Sequence, residues 1–201
     1  MTAPLVDDAM KRELALLYDD AGRHYHGLAH VGALLALALE YRPALSDPAA
    51  VEAAIWFHDA VYDSRAKDNE ARSAALARRK LQGRADAERL DLIAAMIEAT
   101  ATHEVPEFSD PAARRDTALF LDMDLSILGA APAAFEAYEQ AVRREYGWVE
   151  EPAWRAGRGM VLKSFLARPH IFRTDEFRRR FERQARENVT RSLATLEGGA
   201  A

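Results

Sequence analysis

The chain has 201 residues, of which 49% are hydrophobic and 29% charged, and it carries a formal charge of −5. That length supports one domain with a core able to stand without cross-links, and the acidic balance argues against nucleic acid as the main partner. There is no cysteine, which excludes disulfides, thiolate zinc sites and cysteine nucleophiles, so any metal must be held by His, Asp, Glu and water. The opening MTAPLVDDAMKRE lacks the charged and apolar regions of a signal peptide. The longest apolar run, 33–39, falls well short of the roughly 20 residues a membrane span needs. A cytoplasmic protein with no membrane partner is expected.

Apolar residues recur at helical spacing along the chain and no stretch alternates as a strand, so an all-α fold is expected. Asp47-Pro48, Asp110-Pro111 and Glu151-Pro152 each put proline at a first helical position behind an acidic residue, and Pro132 does so behind Ala131. Gly22, Gly83, Gly129 and Gly147 fall where helices should stop, and Arg168-Pro169 ends another. In chain order the pattern predicts helices over 4–18, 27–42, 48–62, 68–82, 86–102, 111–121, 132–146, 152–167 and 174–196. The last carries Phe177, Phe181, Val189, Leu193 and Leu196 on one broad face, a packing stripe that offers a surface for a homodimer. No linker or repeat divides the chain, so 1–201 is read as a single domain, with a frayed Gly-Gly-Ala-Ala tail after Glu197.

Within 48–62 the run Ile55-Trp56-Phe57-His58-Asp59 sets two polar side chains in apolar surroundings. Burying an unpaired polar group costs roughly 2–7 kcal/mol and a bare carboxylate far more, so both need partners. A divalent cation shared by imidazole and carboxylate is one answer. Two further pieces fit it: His26 and His30, four apart and hence on one helix face, and Asp122 with Asp124 downstream. Each piece alone has an ordinary reading: a chance i,i+4 pair, a hydrogen-bonded buried pair, a capped turn. Together, on a cysteine-free helical chain, they point to a metal centre.

The order His30, then His58-Asp59, then Asp124 resembles the HD superfamily of metal-dependent phosphohydrolases, whose signature is H…HD…D on a helical bundle. The resemblance implies a helical bundle of HD-domain type, with His30, His58, Asp59 and Asp124 converging on one divalent ion. YHGLAHV is similar to the HNxxHA segment of cyclic-nucleotide phosphodiesterases in that superfamily, with Gly27 in place of the asparagine. Carried over by position, His30 is a ligand and His26 the general acid at the leaving group, so His26 and Asp59 are the expected catalytic residues. MDLS resembles the ADLS and ADRL segments that hold the last ligand, which favours Asp124 over Asp122 and leaves Asp122 to support the ligands from behind. The longer run YHGLAHV…WFHDAVYD…DNEARSA…LDMDLSILGA…RREY…VLKSFLARPHIF is similar to a bacterial group described as predicted HD-superfamily metal-dependent phosphohydrolases.

Other residues are expected around this centre. Asp63, Asp68, Asn69 and Glu70 can contact metal-bound water or act as a base, while Asp68 also suits a helix cap. His103 is open between a second-metal ligand, a phosphate contact and a helix C-terminal histidine. Arg23, Arg143, Arg144, Lys163 and Arg168 can bind phosphate oxygens. Tyr146 is expected to line a pocket and Trp148 to pack in the core. His/Asp ligation suits Mn, Fe, Ni, Co, Zn or Mg, and the expected partner is a small, nucleotide-like phosphate ester. The alternatives are an HD-fold di-iron oxygenase, for which His103 is the one histidine between Asp59 and Asp124, a regulatory metal- or ligand-binding module without turnover, and a purely structural helical protein.

Overall fold

Asp7, Asp47, Asp86 and Asp110 each turn a carboxylate oxygen onto a backbone N–H two or three residues on, at 2.9–3.0 Å, and a helix follows each of them. The computed structural model describes residues 4–198, and among these every regular element is helical. The chain divides into two compact units, Met1–Asp124 and Leu125–Ala201. The expected frayed tail lies outside the described residues from Gly199 onward, while Gly198 still belongs to the last helix.

The first unit holds α1 (Asp8–Tyr18), α2 (Leu28–Glu40), α3 (Pro48–Phe57), α4 (Asn69–Leu81), α5 (Ala87–Ala99) and α6 (Pro111–Asp124). At its centre is α3, which packs against the other five. Ala50, Val51, Ala53, Ala54, Ile55 and Phe57 are wholly buried, and the small side chains let neighbouring helices approach from all sides. The start of α3 is fastened three ways. Asp47 caps it, Arg89 of α5 grips Asp47 at 2.6 Å, and buried Asp116 of α6 accepts the Ser46 and Asp47 N–H groups at 2.9 and 2.7 Å.

Several helix boundaries differ from the sequence expectation, among them the end of the fifth at Ala99 rather than 102, and three have a plain physical reason. The first helix begins at Asp8 rather than residue 4, because Asp7 supplies its cap. The third stops at Phe57 rather than 62. Beyond it, Ser73 of α4 takes both the N–H and the carbonyl of Val61, at 3.0 and 3.2 Å, in competition with the helix ladder. The sixth runs on from 121 to Asp124, since Met123 and then Leu125 continue the buried face.

The second unit holds a 3-10 turn (Leu125–Gly129), α7 (Pro132–Glu145), α8 (Glu151–Ala167), and the expected 174–196 helix, which is built in three consecutive pieces. These are α9 (Asp175–Phe177), one π turn (Arg178–Glu182) and α10 (Arg183–Gly198). Phe177, Val189 and Leu193 are buried there and Phe181 and Leu196 half-buried, so the stripe expected as packing does pack within the protein. Gly129 is required by that packing: a Cβ on it would lie 2.6 Å from the Phe181 Cβ. Trp148, expected in the core, is 45% exposed and stacks at 6.3 Å on Tyr146. Among the described residues no single helix is long and apolar enough to cross a membrane.

Candidate metal centre

Three helices of the first unit bring their functional side chains to one place. α2 contributes His30 from its buried face, the end of α3 contributes His58 as its C-terminal cap, and the last residue of α6 is Asp124. Ligand atoms of these three lie within 4.8 Å of one another. His30 Nε2 is 3.2 Å from His58 Nε2 and 3.0 Å from Asp124 Oδ1, and His58 Nε2 is 3.7 Å from that oxygen. Asp59 Oδ2 stands at the edge of the group, 3.0 Å from His58 Nε2 and 3.8 Å from His30 Nε2. The imidazoles are buried, and the two carboxylates keep partial access to solvent.

The donors fit a divalent ion. Bonds of about 2.1 Å set neighbouring ligand atoms about 3.0 Å apart in an octahedron and about 3.4 Å apart in a tetrahedron; the His30–His58, His30–Asp124 and His58–Asp59 separations of 3.2, 3.0 and 3.0 Å fall in that range, and the 3.7 and 3.8 Å separations lie just beyond it. The Ile55 carbonyl accepts from His58 Nδ1 at 2.9 Å, so a neutral His58 turns a lone pair toward His30 and both carboxylates. Such an arrangement repels itself unless a positive charge lies within it. Burial disfavours a charged His58, yet the Asp59 and Asp124 carboxylates outweigh that and raise its pKa to about 9. Burial likewise opposes ionisation of Asp59 and Asp124, and their histidine neighbours reverse it, holding Asp59 below the usual carboxylate range and Asp124 well below. His30, His58 and Asp124 thus have both the spacing and the charge to hold a metal.

Asp124, and not Asp122, enters the cluster. The two are two positions apart on α6 and so about 200° around it, with Asp122 wholly buried on the other flank. His103 donates from Nε2 to the second oxygen of Asp124 at 2.9 Å. It sits four residues beyond α5 with φ of 53°, a left-handed conformation that costs a side-chain-bearing residue about 1–2 kcal/mol. The bond from its N–H to the Ala99 carbonyl, 2.8 Å, closes the helix end in that geometry. Strain of this kind persists where surrounding structure holds it, and here it aims a ring at a ligand.

His26 lies beside Asp59, whose ionisation it favours, and stacks at 4.5 Å on Tyr62. Tyr25 packs at 4.8 Å on His30. Both tyrosines escaped the sequence reading, although each flanks a motif and aromatic neighbours commonly orient imidazole rings. Arg23, expected at a phosphate, is instead committed to backbone: it donates to the His26, Asp59 and Ala60 carbonyls at 3.1, 2.5 and 3.2 Å and lies over Tyr18 and Tyr62. It clamps the α1–α2 connection to the end of α3.

Several of the other expected residues have structural partners away from the cluster. Asp63 caps its own turn through Arg65 N, and its backbone exchanges hydrogen bonds with Asn69 at 3.0 and 2.9 Å. Asp68 precedes α4 without a side-chain capping bond, and Glu70 lies in the first turn, where the helix dipole favours it. In the second unit, Arg143 binds the Tyr146 and Val149 carbonyls and Glu151. Arg144 is exposed on α7, Lys163 pairs with Glu197 at 2.8 Å, and Arg168 ends α8 over the Phe165 ring. No family model matches the chain, and comparison with curated proteins and with solved structures finds no match.

Proposed function

We propose that this chain is a metal-dependent phosphohydrolase of HD type, acting on a small phosphate mono- or diester of nucleotide-like character. The observation that supports it is the meeting of His30, His58 and Asp124 within 4.8 Å, with Asp59 beside them, in the H…HD…D order. A divalent cation held there supplies Lewis acidity at a phosphoryl oxygen and lowers the pKa of water. The buried imidazoles fix the floor of the site, and the partly exposed Asp59 and Asp124 face the side from which ester and water arrive. His103 holds Asp124 in orientation through its second oxygen. His26, beside Asp59, would protonate the departing alkoxide, a contribution of roughly 10²–10⁴-fold.

That assignment separates two substrate types. His26→Ala is expected to slow hydrolysis of alkyl phosphate esters by about 10²–10⁴-fold while sparing nitrophenyl esters, whose leaving group needs no proton. Equal loss on both, with metal retained, would remove His26 from the role of acid. No hydrolysis of any ester across a broad panel with Mn²⁺, Fe²⁺, Ni²⁺, Co²⁺, Zn²⁺ or Mg²⁺ would favour a regulatory module.

One observation favours a second reading. Asp124 directs its two oxygens at different histidines, His30 and His103, so His103 and the second oxygen could help hold a further ion. A dinuclear centre, including the di-iron oxygenase, would exchange the His103 proton for a second ion. Two metals per chain, one of them lost in His103→Ala, would select it.

A further inference from the structure

Within the second unit α7 approaches α8 and α10 at few points, and between them runs a groove of about 560 Å³. That volume is in the range of small-molecule sites, roughly 300–1,000 Å³. Phe135, Trp154 and Leu196 give the groove an apolar side. Its walls are tied together by side chains. Glu139 accepts from Ser192 at 2.8 Å and pairs with buried Arg158, which also donates to the Tyr138 hydroxyl at 2.8 Å. Arg143 is likewise committed, to the Tyr146 and Val149 carbonyls and to Glu151, and lies 5.2 Å over the Trp154 ring.

The donors left over in the groove outnumber the acceptors. Among the described residues the Arg144 guanidinium, the Gln140 amide and the Trp154 indole N–H have no partner in the protein. Arg191 spends one nitrogen, Nη2, on Asn188 at 2.6 Å and leaves its other two unbonded. That one bond orients it, because Asn188 is wholly buried and its own amide is tied to the Leu128 and Ala130 carbonyls, each at 2.8 Å. A guanidinium held in this way loses less freedom when it binds. With Glu139 met by Arg158 and Arg143 by Glu151, one lining carboxylate, Glu136, stands against Arg144 and Arg191. The groove therefore has a surplus of positive charge. The unit around it is basic as well: 125–201 holds 13 Arg and Lys against 10 Asp and Glu, whereas 1–124 holds 14 against 22.

We propose that this groove is a second, non-catalytic site that binds a small organic phosphate, with its phosphate oxygens on Arg144 and Arg191 and its apolar body along Phe135 and Leu196. Guanidinium groups match phosphate oxygens in geometry as well as in charge. A phosphate monoester brings three acceptor oxygens and nearly two negative charges. A donor-rich groove suits it better than the two oxygens and single charge of a carboxylate. No histidine lines the groove, so it lacks the ligands that gather at His30 and His58. The site stands whether or not the metal centre hydrolyses an ester.

Calorimetric titration of the full chain with phenylphosphonate, whose C–P bond resists hydrolysis, tests it with and without chelator. The ligand should bind with a dissociation constant of about 0.1–1 mM, as suits so small a molecule, and chelator should leave that binding in place. Inorganic phosphate lacks the apolar body and benzoate the third oxygen, so each should bind at least about fivefold more weakly. Arg144→Gln and Arg191→Gln, both at exposed positions, should each weaken binding about tenfold. Arg179→Gln, an equal loss of charge at an exposed position on the π turn, should leave it unchanged. No saturation by about 20 mM, inorganic phosphate or benzoate bound as tightly, or an equal loss in Arg179→Gln would overturn the proposal. Binding abolished by chelator and untouched by Arg144→Gln and Arg191→Gln would give the phosphonate to the metal centre and overturn it equally.

Discussion

The Nε2 atoms of His30 and His58 stand 3.2 Å apart, and the His58 ring is locked by its Nδ1 bond to the Ile55 carbonyl. With Asp59 and Asp124 on either side, one positive charge belongs among these atoms. In the metal-free protein the proton on His58 supplies it. A divalent cation supplies it better, because it satisfies both nitrogens and the carboxylates at once.

Metal and proton therefore compete. His58 has a pKa raised to about 9 without metal, so loading at neutral pH displaces a proton. Affinity should rise about tenfold per pH unit from pH 6 toward 9, for one proton released. Calorimetry in buffers of different ionisation enthalpy checks this. Affinity flat across that range would mean His58 is already neutral in the metal-free fold.

The same proton governs the stability of the metal-free protein. The folded pKa of His58 lies above its unfolded value of 6.5, so its contribution is fully present below pH 6.5 and is lost as pH rises through about 9. Asp59 and Asp124 have lowered values, so theirs is present above the unfolded value of 3.8 and is lost as pH falls below it. Melting temperature without metal should decline from pH 6.5 to 9, and His58→Gln should flatten that decline. Metal loading should remove the alkaline decline as well.

The position of the His-Asp pair depends on the far end of α3. Asp116→Ala would remove the buried acceptor of the Ser46 and Asp47 N–H groups, at a cost of about 1.5–3 kcal/mol, or roughly 3–12 °C in melting temperature. At the near end, Arg23→Met should release the Asp59 and Ala60 carbonyls and weaken metal affinity without removing any ligand. Unchanged affinity in a folded Arg23→Met variant would deny Arg23 its part in positioning Asp59.

At His103 the backbone and the ring can be separated. Its φ of 53° suits glycine, so His103→Gly should melt higher than His103→Ala by about 1 kcal/mol, or roughly 2–4 °C. Both variants lose the ring that holds Asp124, so both should lower metal affinity alike. Equal melting temperatures would show that the end of α5 rearranges once the ring is gone.

Local chemistry made much of this visible in the sequence. Asp-Pro pairs marked the starts of α3 and α6, because a capping carboxylate and a proline act within one turn. The cluster was legible since His58-Asp59 sits in an apolar run that demands partners, and the remaining ligands were in short supply. The end of α3 was not legible, because Ser73 and Arg23, 15 and 35 residues from His58, decide it through long-range bonds. Asp124 fell beyond the predicted end of its helix because the polar run Asp122-Met123-Asp124 hides a buried flank. Nothing local distinguished Arg23 as a backbone clamp from an arginine awaiting phosphate.

Elemental analysis of the untagged protein tests the central claim most directly, with His58→Ala, Asp124→Asn and Asp122→Asn beside it. The account predicts about one divalent transition metal per chain, lost in His58→Ala and Asp124→Asn and kept in Asp122→Asn. A wild type that takes up no metal when offered each candidate ion, or an Asp124→Asn variant that holds it as tightly, would contradict the account.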